Sequence, residues 1–144
     1  MRVLLLEIIE QMFSLIRNEI NYLSLPANEI FDKLSEIDEI KKLKFISCCS
    51  EAISKGKDFR VAWKNSLEIK ANTSYLRPKD IHLLNTFGES FGVTDSEGQI
   101  SNCDMYMEIL KSNRKEAVAV RDRYSKTATL LGLLSGLGLL IVFL

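Results

Sequence analysis

The sequence has little histidine and no excess of either charge. His82 is the single histidine among 144 residues, so a metal site built on two imidazoles is excluded. The 19 basic and 19 acidic side chains give a formal net charge of zero, which excludes a strongly basic nucleic-acid binder. A phosphate-binding glycine loop is also missing, because neither Gly88 nor Gly92 is followed by the lysine and hydroxyl residue of that motif.

Cysteine is scarce and irregularly spaced. Cys48, Cys49 and Cys103 are an odd number, which is typical of a reducing compartment rather than of a secreted disulfide framework. The two adjacent cysteines have poor spacing for zinc, and no carboxylate has a recognisable partner nucleophile. We therefore predict thiols that are in the core or partly buried, and no enzyme activity, metal or cofactor. The alternative, an enzyme with an unrecognised site, requires a deep polar pocket around His82 or the thiols.

The charge that is present is distributed unevenly. Residues 127–144 carry no charged side chain. Residues 111–126, named here the basic collar, carry six basic and two acidic side chains, a net charge of +4 that residues 1–110 balance with an equal acidic excess. Aromatic side chains interleave the basic collar only at Tyr124, so a membrane-edge anchor explains it better than a nucleic-acid patch.

The uncharged run at residues 127–144 predicts a transmembrane helix. Its 18 residues would rise about 27 Å as a helix, against about 30 Å for the hydrocarbon core of a bilayer. The basic collar marks the cytoplasmic side, which makes residues 1–126 a cytoplasmic domain. A hairpin-like or interfacial insertion and an apolar core helix are the alternatives. Gly132 and Gly136 either allow close packing on another membrane helix or on a copy of this one, or reflect only the frequency of glycine in membrane helices.

Residues 1–126 predict an all-α domain, a bundle of six helices, because apolar side chains recur at spacings of three and four without sustained alternation. Breaks at Pro26, at residues 35–38, at Gly56 and before Pro78 divide the first five helices, and residues 70–74 form a polar connection. The third of these helices is predicted to contain Ile40, Leu43 and Phe45 without interruption. The sixth helix contains no proline and is expected to continue into the apolar run. Its predicted inward positions are Cys103, Tyr106, Leu110, Asn113, Ala117, Val120 and Tyr124.

A hinge is predicted between the fifth and sixth helices. Gly88 permits a close helix approach, and Gly92 ends the fifth helix. Thr94 and Glu97 form a capping box at the start of the sixth, in which the Thr94 hydroxyl accepts from the Glu97 amide. Asp95 adds negative charge where the new helix exposes its free amides.

The segment at residues 76–99, LRPKDIHLLNTFGESFGVTDSEGQ, resembles the signature of the stage III sporulation protein AB family of endospore-forming bacteria. The similarity extends over essentially all 144 residues, and Trp63 resembles the aromatic residue of that family's fourth helix. Family members begin with a transmembrane helix before the soluble domain. Either that anchor has been trimmed or misassigned here, or this version uses a single anchor. The residues that carry the central resemblance are Leu76, Asp80, Leu84, Phe87, Gly88, Gly92, Thr94, Asp95, Glu97 and Gln99.

The resemblance implies a relative of platform protein F of type II secretion and type IV pilus systems, with a six-helix cytoplasmic domain fixed to the membrane. It implies a subunit of the sporulation channel complex, in the mother-cell membrane that faces the forespore. The implied partners are the secretion-type ATPase of that complex, protein AA, and the other membrane subunits. A tail-anchored helical adaptor that binds partner helices and is unrelated to secretion is the alternative. Self-association stays open.

Exposed residues of the signature are candidates for docking the ATPase or a sister subunit. We expect Arg77, Lys79, Asp80 and Glu89 to lie on this surface. The alternative is that the whole motif, with its hinge at residues 87–99, specifies only the fold.

Overall fold

The computed structural model describes residues 1–23, 27–92 and 95–143, and the side chains of residues 22, 23, 27 and 139–143 lie outside that description. Every regular element in these ranges is helical, which confirms the all-α prediction. A short 3-10 turn, Ile40–Lys42, precedes the third α helix. The α helices are α1 (Arg2–Leu23), α2 (Ala27–Ser35), α3 (Lys44–Ser54), α4 (Phe59–Glu68), α5 (Lys70–Thr73), α6 (Pro78–Ser90) and α7 (Ser96–Phe143).

The helix count differs by one from the predicted six, because α5 is a seventh α helix within the described ranges. The polar composition of residues 70–74 predicts a connection. The chain instead forms a helical turn there, and the Asn72 side-chain amide donates to the Ser66 carbonyl at 2.9 Å. The extended backbone of Ile69, with φ −72° and ψ 112°, separates α5 from α4. Leu43, with φ −85° and ψ 94°, likewise separates the 3-10 turn from α3, where the apolar pattern predicts one helix.

The two longest helices, α1 and α7, pack antiparallel and frame the bundle. Arg17, late in α1, pairs with Asp104, early in α7, at 2.6 Å. Glu10, earlier in α1, pairs with Arg114, later in α7, also at 2.6 Å. The apolar faces of both helices meet beside these ion pairs. The buried residues there include Ile9, Met12, Phe13, Ile16, Cys103, Tyr106 and Leu110.

An aromatic cluster around Trp63 fills the space between α2, α3, α4 and α6. The indole Nε1 donates to the Leu84 carbonyl at 2.7 Å, which joins α4 to α6. A Cβ added to Gly88 would lie 2.1 Å from Trp63 Cδ1, so the indole ring packs directly on the α6 backbone. The close helix approach expected at Gly88 is therefore the approach of α4 to α6. Four phenylalanine rings have centroids 5.3–5.7 Å from the Trp63 ring, namely Phe31, Phe45, Phe59 and Phe87.

Helix α7 has 48 residues and is about 72 Å long, and only its first half packs on the bundle. Its predicted inward positions are buried as far as Ala117, but Val120 is 41% exposed and Tyr124 is 80% exposed. The prediction is wrong at these two positions because an open groove, not another helix, lies beside α7 there. All side chains from residue 119 to residue 138 are exposed, so α7 continues unbroken out of the bundle.

The projecting end of α7 contains most of the predicted transmembrane segment, residues 127–144. The side chains of residues 139–143 and the whole of Leu144 lie outside the described residues. Within the part of the chain that the structure describes, no helix is both long and apolar enough to cross a membrane. Gly132 and Gly136 lie on the projecting end, and a Cβ on either would meet no atom within 4 Å.

Candidate functional site

A buried carboxylate, Asp80, lies in the first turn of α6, where α6 meets α1 and α7. Arg2 of α1 binds both of its oxygens. Its Nε donates to Oδ2 at 2.8 Å and its Nη2 donates to Oδ1 at 3.1 Å. Bidentate pairing of this kind adds geometric specificity to a charge-assisted hydrogen bond, so it fixes the start of α1 against α6.

Two further donors surround Asp80. The Arg77 backbone N–H donates to Oδ2 at 3.0 Å, which is the carboxylate half of a capping box, and Asn113 Nδ2 of α7 donates to Oδ1 at 3.1 Å. Each carboxylate oxygen therefore accepts two hydrogen bonds, which offsets the cost of burying the charge. We name Arg2, Asp80 and Asn113 the polar staple, because they join α1, α6 and α7.

The polar staple corrects the expectation that Asp80 lies on a docking surface. The residues around it in sequence are polar, which is typical of an exposed first helical turn. Its side chain is nevertheless 0% exposed and cannot touch a partner at the surface. The physical reason is the charge of Arg2, which compensates the carboxylate inside the bundle. Asp80 positions helices in this fold.

The other three docking candidates are exposed but do not form one patch. Lys79 and Glu89 lie ten residues apart in α6, about 15 Å along its axis. Lys79 Nζ forms an ion pair with Glu116 of α7. The hydrogen bond and the charge of Lys79 lower the pKa of the Glu116 carboxyl. Arg77 and Lys79 thus belong to the junction with α7, whereas the Glu89 carbonyl accepts from Arg60 Nη2 of α4 at 3.1 Å.

The turn after α6 contains the glycine and aromatic residues of the signature. Phe87 and Gly88 are buried within α6. Gly92 follows with φ +83°, a left-handed backbone conformation that favours glycine and is typical of the position just after the end of a helix. The two aromatic rings Phe87 and Phe91 flank this region at a centroid distance of 5.0 Å.

The start of α7 is capped by Asp95. Its Oδ1 accepts from the Gly98 backbone N–H at 2.8 Å, and its carbonyl accepts from the Gln99 backbone N–H at 2.9 Å. The predicted capping box depends on Thr94, which lies outside the described residues. Glu97 is exposed in the first turn, where a carboxylate favours the helix dipole. Asp95 therefore has a capping hydrogen bond in addition to the charge effect expected of it.

A groove of about 460 Å³ opens beside the polar staple, between the starts of α1 and α6 and the exposed side of α7. Arg2, Arg77 and Arg121 contribute three guanidinium groups to it. We name it the arginine groove. Its other lining residues are Met1, Val3, Ala117, Val120, Tyr124 and Ser125.

Sequence reasoning missed both the polar staple and the arginine groove. Arg2 and Asp80 are 78 positions apart, and no local spacing connects them. The signal available was Asn113, a polar residue at an inward position of α7, since a buried amide needs a hydrogen-bond partner. For the groove, the available signal was the positive charge of the basic collar, which includes Arg121.

The three thiols form no disulfide, and two of them are buried away from solvent. Cys48 is partly buried, and Cys49 and Cys103 are buried. Burial raises the pKa of Cys49 to about 12, with a smaller contribution from Cys48. Burial likewise raises the pKa of Cys103 to about 12, with Asp104 adding to the rise and Arg17 opposing it. Neither buried thiol is an ionised nucleophile near neutral pH.

His82 is exposed on α6 and lines a cavity of about 440 Å³ between α4 and α6. The described residues that line this cavity include no cysteine, serine or threonine beside the imidazole. Within the described ranges, no three His, Cys, Asp or Glu side chains gather as a metal site would require. The cavity walls are Arg60, Trp63, Lys64, Glu68, Asn85 and Glu89.

Comparison with known proteins identifies one family. The sequence model of the stage III sporulation protein AB family matches residues 1–144. A curated protein named stage III sporulation protein AB, from Bacillus subtilis strain 168, is 27% identical over 99 residues. That alignment covers 68% of this chain and 58% of the relative, so the chain spans somewhat more than half the relative's length. No solved structure matches the chain.

Proposed function

The chain belongs to the stage III sporulation protein AB family, and from this premise we propose that it is a membrane-attached structural subunit of a secretion-like channel complex. The family supports a role in sporulation. The proposal adds that the bundle is held at the cytoplasmic face of the mother-cell membrane that faces the forespore. There it would scaffold the ATPase of the complex, protein AA, and the neighbouring membrane subunits.

One observation supports the membrane attachment: α7 leaves the bundle core without a break, and its described side chains from residue 127 to residue 138 are uncharged and exposed. Leucines on this projecting end expose more than half of their surface, with Leu130, Leu131 and Leu133 each at 60%. Apolar surface of this extent is unfavourable in water, at roughly 25 cal/mol per Å². Lipid would cover it, and the basic collar before it is then on the cytoplasmic side.

The projecting end also has two different sides, which supports contact with other membrane subunits. At helical spacing, Leu130, Leu134 and Leu137 lie on one side, and Gly132 and Ser135 lie on the other. Small residues allow helix backbones to approach closely in a bilayer, where apolar burial alone gives no net drive for association. The leucine side would then contact lipid, and the small side would contact a partner helix.

A scaffold must transmit position from its membrane segment to its cytoplasmic surface. The polar staple supports this requirement, because Asn113 and Arg2 fix both long helices to Asp80 of α6. A motion or load applied to the projecting end of α7 would therefore reach α1 and α6 through these hydrogen bonds, without an intervening loop. The exposed pair Lys79 and Glu116 lies at the same junction.

Fractionation of sporulating cells tests the membrane attachment. We expect the wild-type protein to stay in the membrane pellet after carbonate extraction. The substitutions Leu134→Lys and Leu137→Lys together should move it to the soluble fraction, because each lysine costs about 3 kcal/mol at the centre of a membrane helix. Leu134→Ala with Leu137→Ala is the matched control and should remain in the pellet. A wild-type protein recovered only in the soluble fraction would show that the attachment is wrong.

Crosslinking and co-purification from the same cells test the scaffold role. Recovery of the secretion-type ATPase and of other membrane subunits is the expected result. The alternative, an adaptor that binds partner helices, is favoured by one observation: Met105 and Ile109, one turn apart on α7, are 48% and 41% exposed. Recovery of an unrelated helical protein through these two residues, without the ATPase, would favour the adaptor and contradict the scaffold.

A further inference from the structure

We propose that the arginine groove binds the headgroup of an anionic phospholipid. The proposal rests on the membrane attachment argued above and adds a ligand class and a site. Three arginines line the groove, of which Arg77 and Arg121 are exposed and Arg2 is paired with Asp80, and the described lining includes no carboxylate. A phosphate monoanion or diester is the group that arginines of this kind recognise, by charge and by paired N–H donors.

The position of the groove along α7 matches the headgroup layer. Arg121 lies six residues before the first residue of the uncharged run, Thr127, which is about 9 Å along the helix. The interfacial layer on each side of a bilayer is about 5–7 Å thick. If the apolar run enters the hydrocarbon core along the bilayer normal, the Arg121 backbone therefore lies about 2–4 Å outside that layer. The long arginine side chain spans this distance, so its guanidinium group reaches the headgroup phosphates.

The position of Tyr124 also supports placing the groove at the membrane interface. Its ring is 80% exposed, and it lies three residues before Thr127, about 4.5 Å along the axis. Tyrosine is enriched where the interfacial layer begins, because its ring suits an apolar environment and its hydroxyl needs water or a headgroup. In the groove this ring is next to Val120 and Ala117, which provide an apolar wall beside the guanidinium groups.

The available donors favour an external anion. The Arg77 guanidinium makes no hydrogen bond or ion pair within the described part of the chain, apart from longer-range attraction to Glu116. Among the described residues, Arg121 forms an ion pair with its neighbour Asp122 alone, at 3.7 Å, and both side chains are more than 60% exposed. Arg2 uses Nε and Nη2 on Asp80. Asp80 is engaged by the polar staple and Glu116 by Lys79, while Asp122 pairs with Arg121 only at the exposed surface, where solvent screens the pair. Arg77 and Arg121 can therefore bind the ligand.

The groove combines two chemistries, which distinguishes a lipid from a free anion. Met1, Val3 and Val120 supply apolar surface next to the guanidinium groups. Inorganic phosphate would gain nothing from that surface, whereas the glycerol and upper acyl carbons of a phospholipid would bury against it. A phospholipid is therefore the occupant to which we commit.

Binding to vesicles tests the proposal on the full chain. The probes are vesicles of phosphatidylcholine alone and vesicles of phosphatidylcholine mixed with phosphatidylglycerol. We expect Arg77→Gln with Arg121→Gln to lose most of the preference for the mixed vesicles, by roughly fivefold for each arginine removed. Lys57→Gln with Lys64→Gln is the matched control, since it removes two exposed charges that line other cavities and not the groove, and it should lose little.

The outcomes separate this proposal from the membrane attachment. Failure of the wild type to bind neutral vesicles would contradict insertion of the apolar run, while a preference for mixed vesicles that depends on Arg77 and Arg121 would still support the groove. Equal losses in the arginine variant and the lysine control would overturn the groove. Retention of phosphatidylglycerol by the detergent-released wild type, but not by the arginine variant, in native mass spectrometry would support it. A dimer that the arginine substitutions dissociate would overturn it in favour of a second copy as occupant.

Discussion

Arg2 and Asp80 lie 78 positions apart in the sequence and form a bidentate ion pair at 2.8 and 3.1 Å. The carboxylate is fully buried, and the arginine side chain is 12% exposed. A pair of this kind need not add net stability over apolar side chains of the same size, but losing one partner leaves a buried charge uncompensated. The pair therefore specifies how α1 meets α6 more than it strengthens the bundle.

The first prediction concerns the loss of that carboxylate. Asp80→Ala should lower the free energy of unfolding by about 3 kcal/mol, because Arg2 then remains in the bundle without its counter-charge. Arg2→Met combined with Asp80→Leu should recover much of this loss, since the double variant removes both charges. Chemical denaturation followed by circular dichroism measures both. A double variant no more stable than Asp80→Ala would argue against charge compensation as the cause.

The ion pair between Lys79 and Glu116 is the control for the polar staple, because it joins α6 and α7, two of the same three helices, at the surface. Its side chains are 44% and 51% exposed, so solvent screens the pair. Lys79→Gln with Glu116→Gln should change the free energy of unfolding by less than about 1 kcal/mol. A loss as large as that of Asp80→Ala would mean that location at the junction, not burial, determines the cost.

A second prediction concerns the contact between Gly88 and Trp63. Gly88→Ala places a methyl group 2.1 Å from the indole Cδ1, so α4 and α6 must separate or the ring must move. We expect a loss of about 3 kcal/mol in the free energy of unfolding. Gly132→Ala is the control, because its Cβ meets no atom within 4 Å and alanine favours a helix. A lower denaturation midpoint for Gly88→Ala alone is the expected result, and equal midpoints would contradict the packing argument.

The helices were predictable from the sequence, because a helix buried on one face has apolar side chains at spacings of three and four. The break at Pro78, the stop at Gly92 and the long unbroken α7 are all consequences of local chemistry. The apolar spacing does not predict where the buried part of α7 ends. Val120 and Tyr124 continue the apolar spacing beyond Ala117, yet they face an open groove, because their burial depends on whether another helix is present beside them.

The site was less predictable because its contacts are long-range. Nothing near Asp80 in sequence distinguishes a carboxylate that only caps its own helix from one that also binds Arg2. Exposure of the first helical turn is the common case, and the polar residues beside Asp80 favour it. Only the antiparallel packing of α1 on α7 brings Arg2 and Asn113 to the same carboxylate.

The third prediction concerns the cap of α7. Asp95→Ala should cost about 1 kcal/mol of stability, because the Gly98 amide loses its acceptor at the start of a helix that packs on α1. Asp95→Asn should cost much less, since asparagine caps a helix nearly as well as aspartate. Thermal unfolding distinguishes the two. Equal losses for alanine and asparagine would show that the negative charge of Asp95, rather than its capping hydrogen bond, stabilises the helix start.

The fourth prediction concerns thiol reactivity. Cys48 is partly exposed, whereas Cys49 and Cys103 are buried and keep their protons near neutral pH. A maleimide should label one thiol rapidly in the native protein, and Cys48→Ser should abolish that rapid phase. Labelling under denaturing conditions provides the control, since all three thiols should then react. Rapid native labelling of Cys49 or Cys103 would contradict their burial.

Because Cys49 and Cys103 are buried, the free energy of unfolding should also fall as the pH rises in the alkaline range. Burial raises the pKa of both Cys49 and Cys103 from 9.0 to about 12, so the unfolded chain releases their protons at a lower pH than the folded chain does. The stabilisation that comes from keeping these thiols neutral is therefore complete below pH 9 and is lost as the pH rises toward 12. Cys49→Ala with Cys103→Ala should flatten this part of the decline in the denaturation midpoint. An equally steep decline in the variant would assign the alkaline loss to other groups.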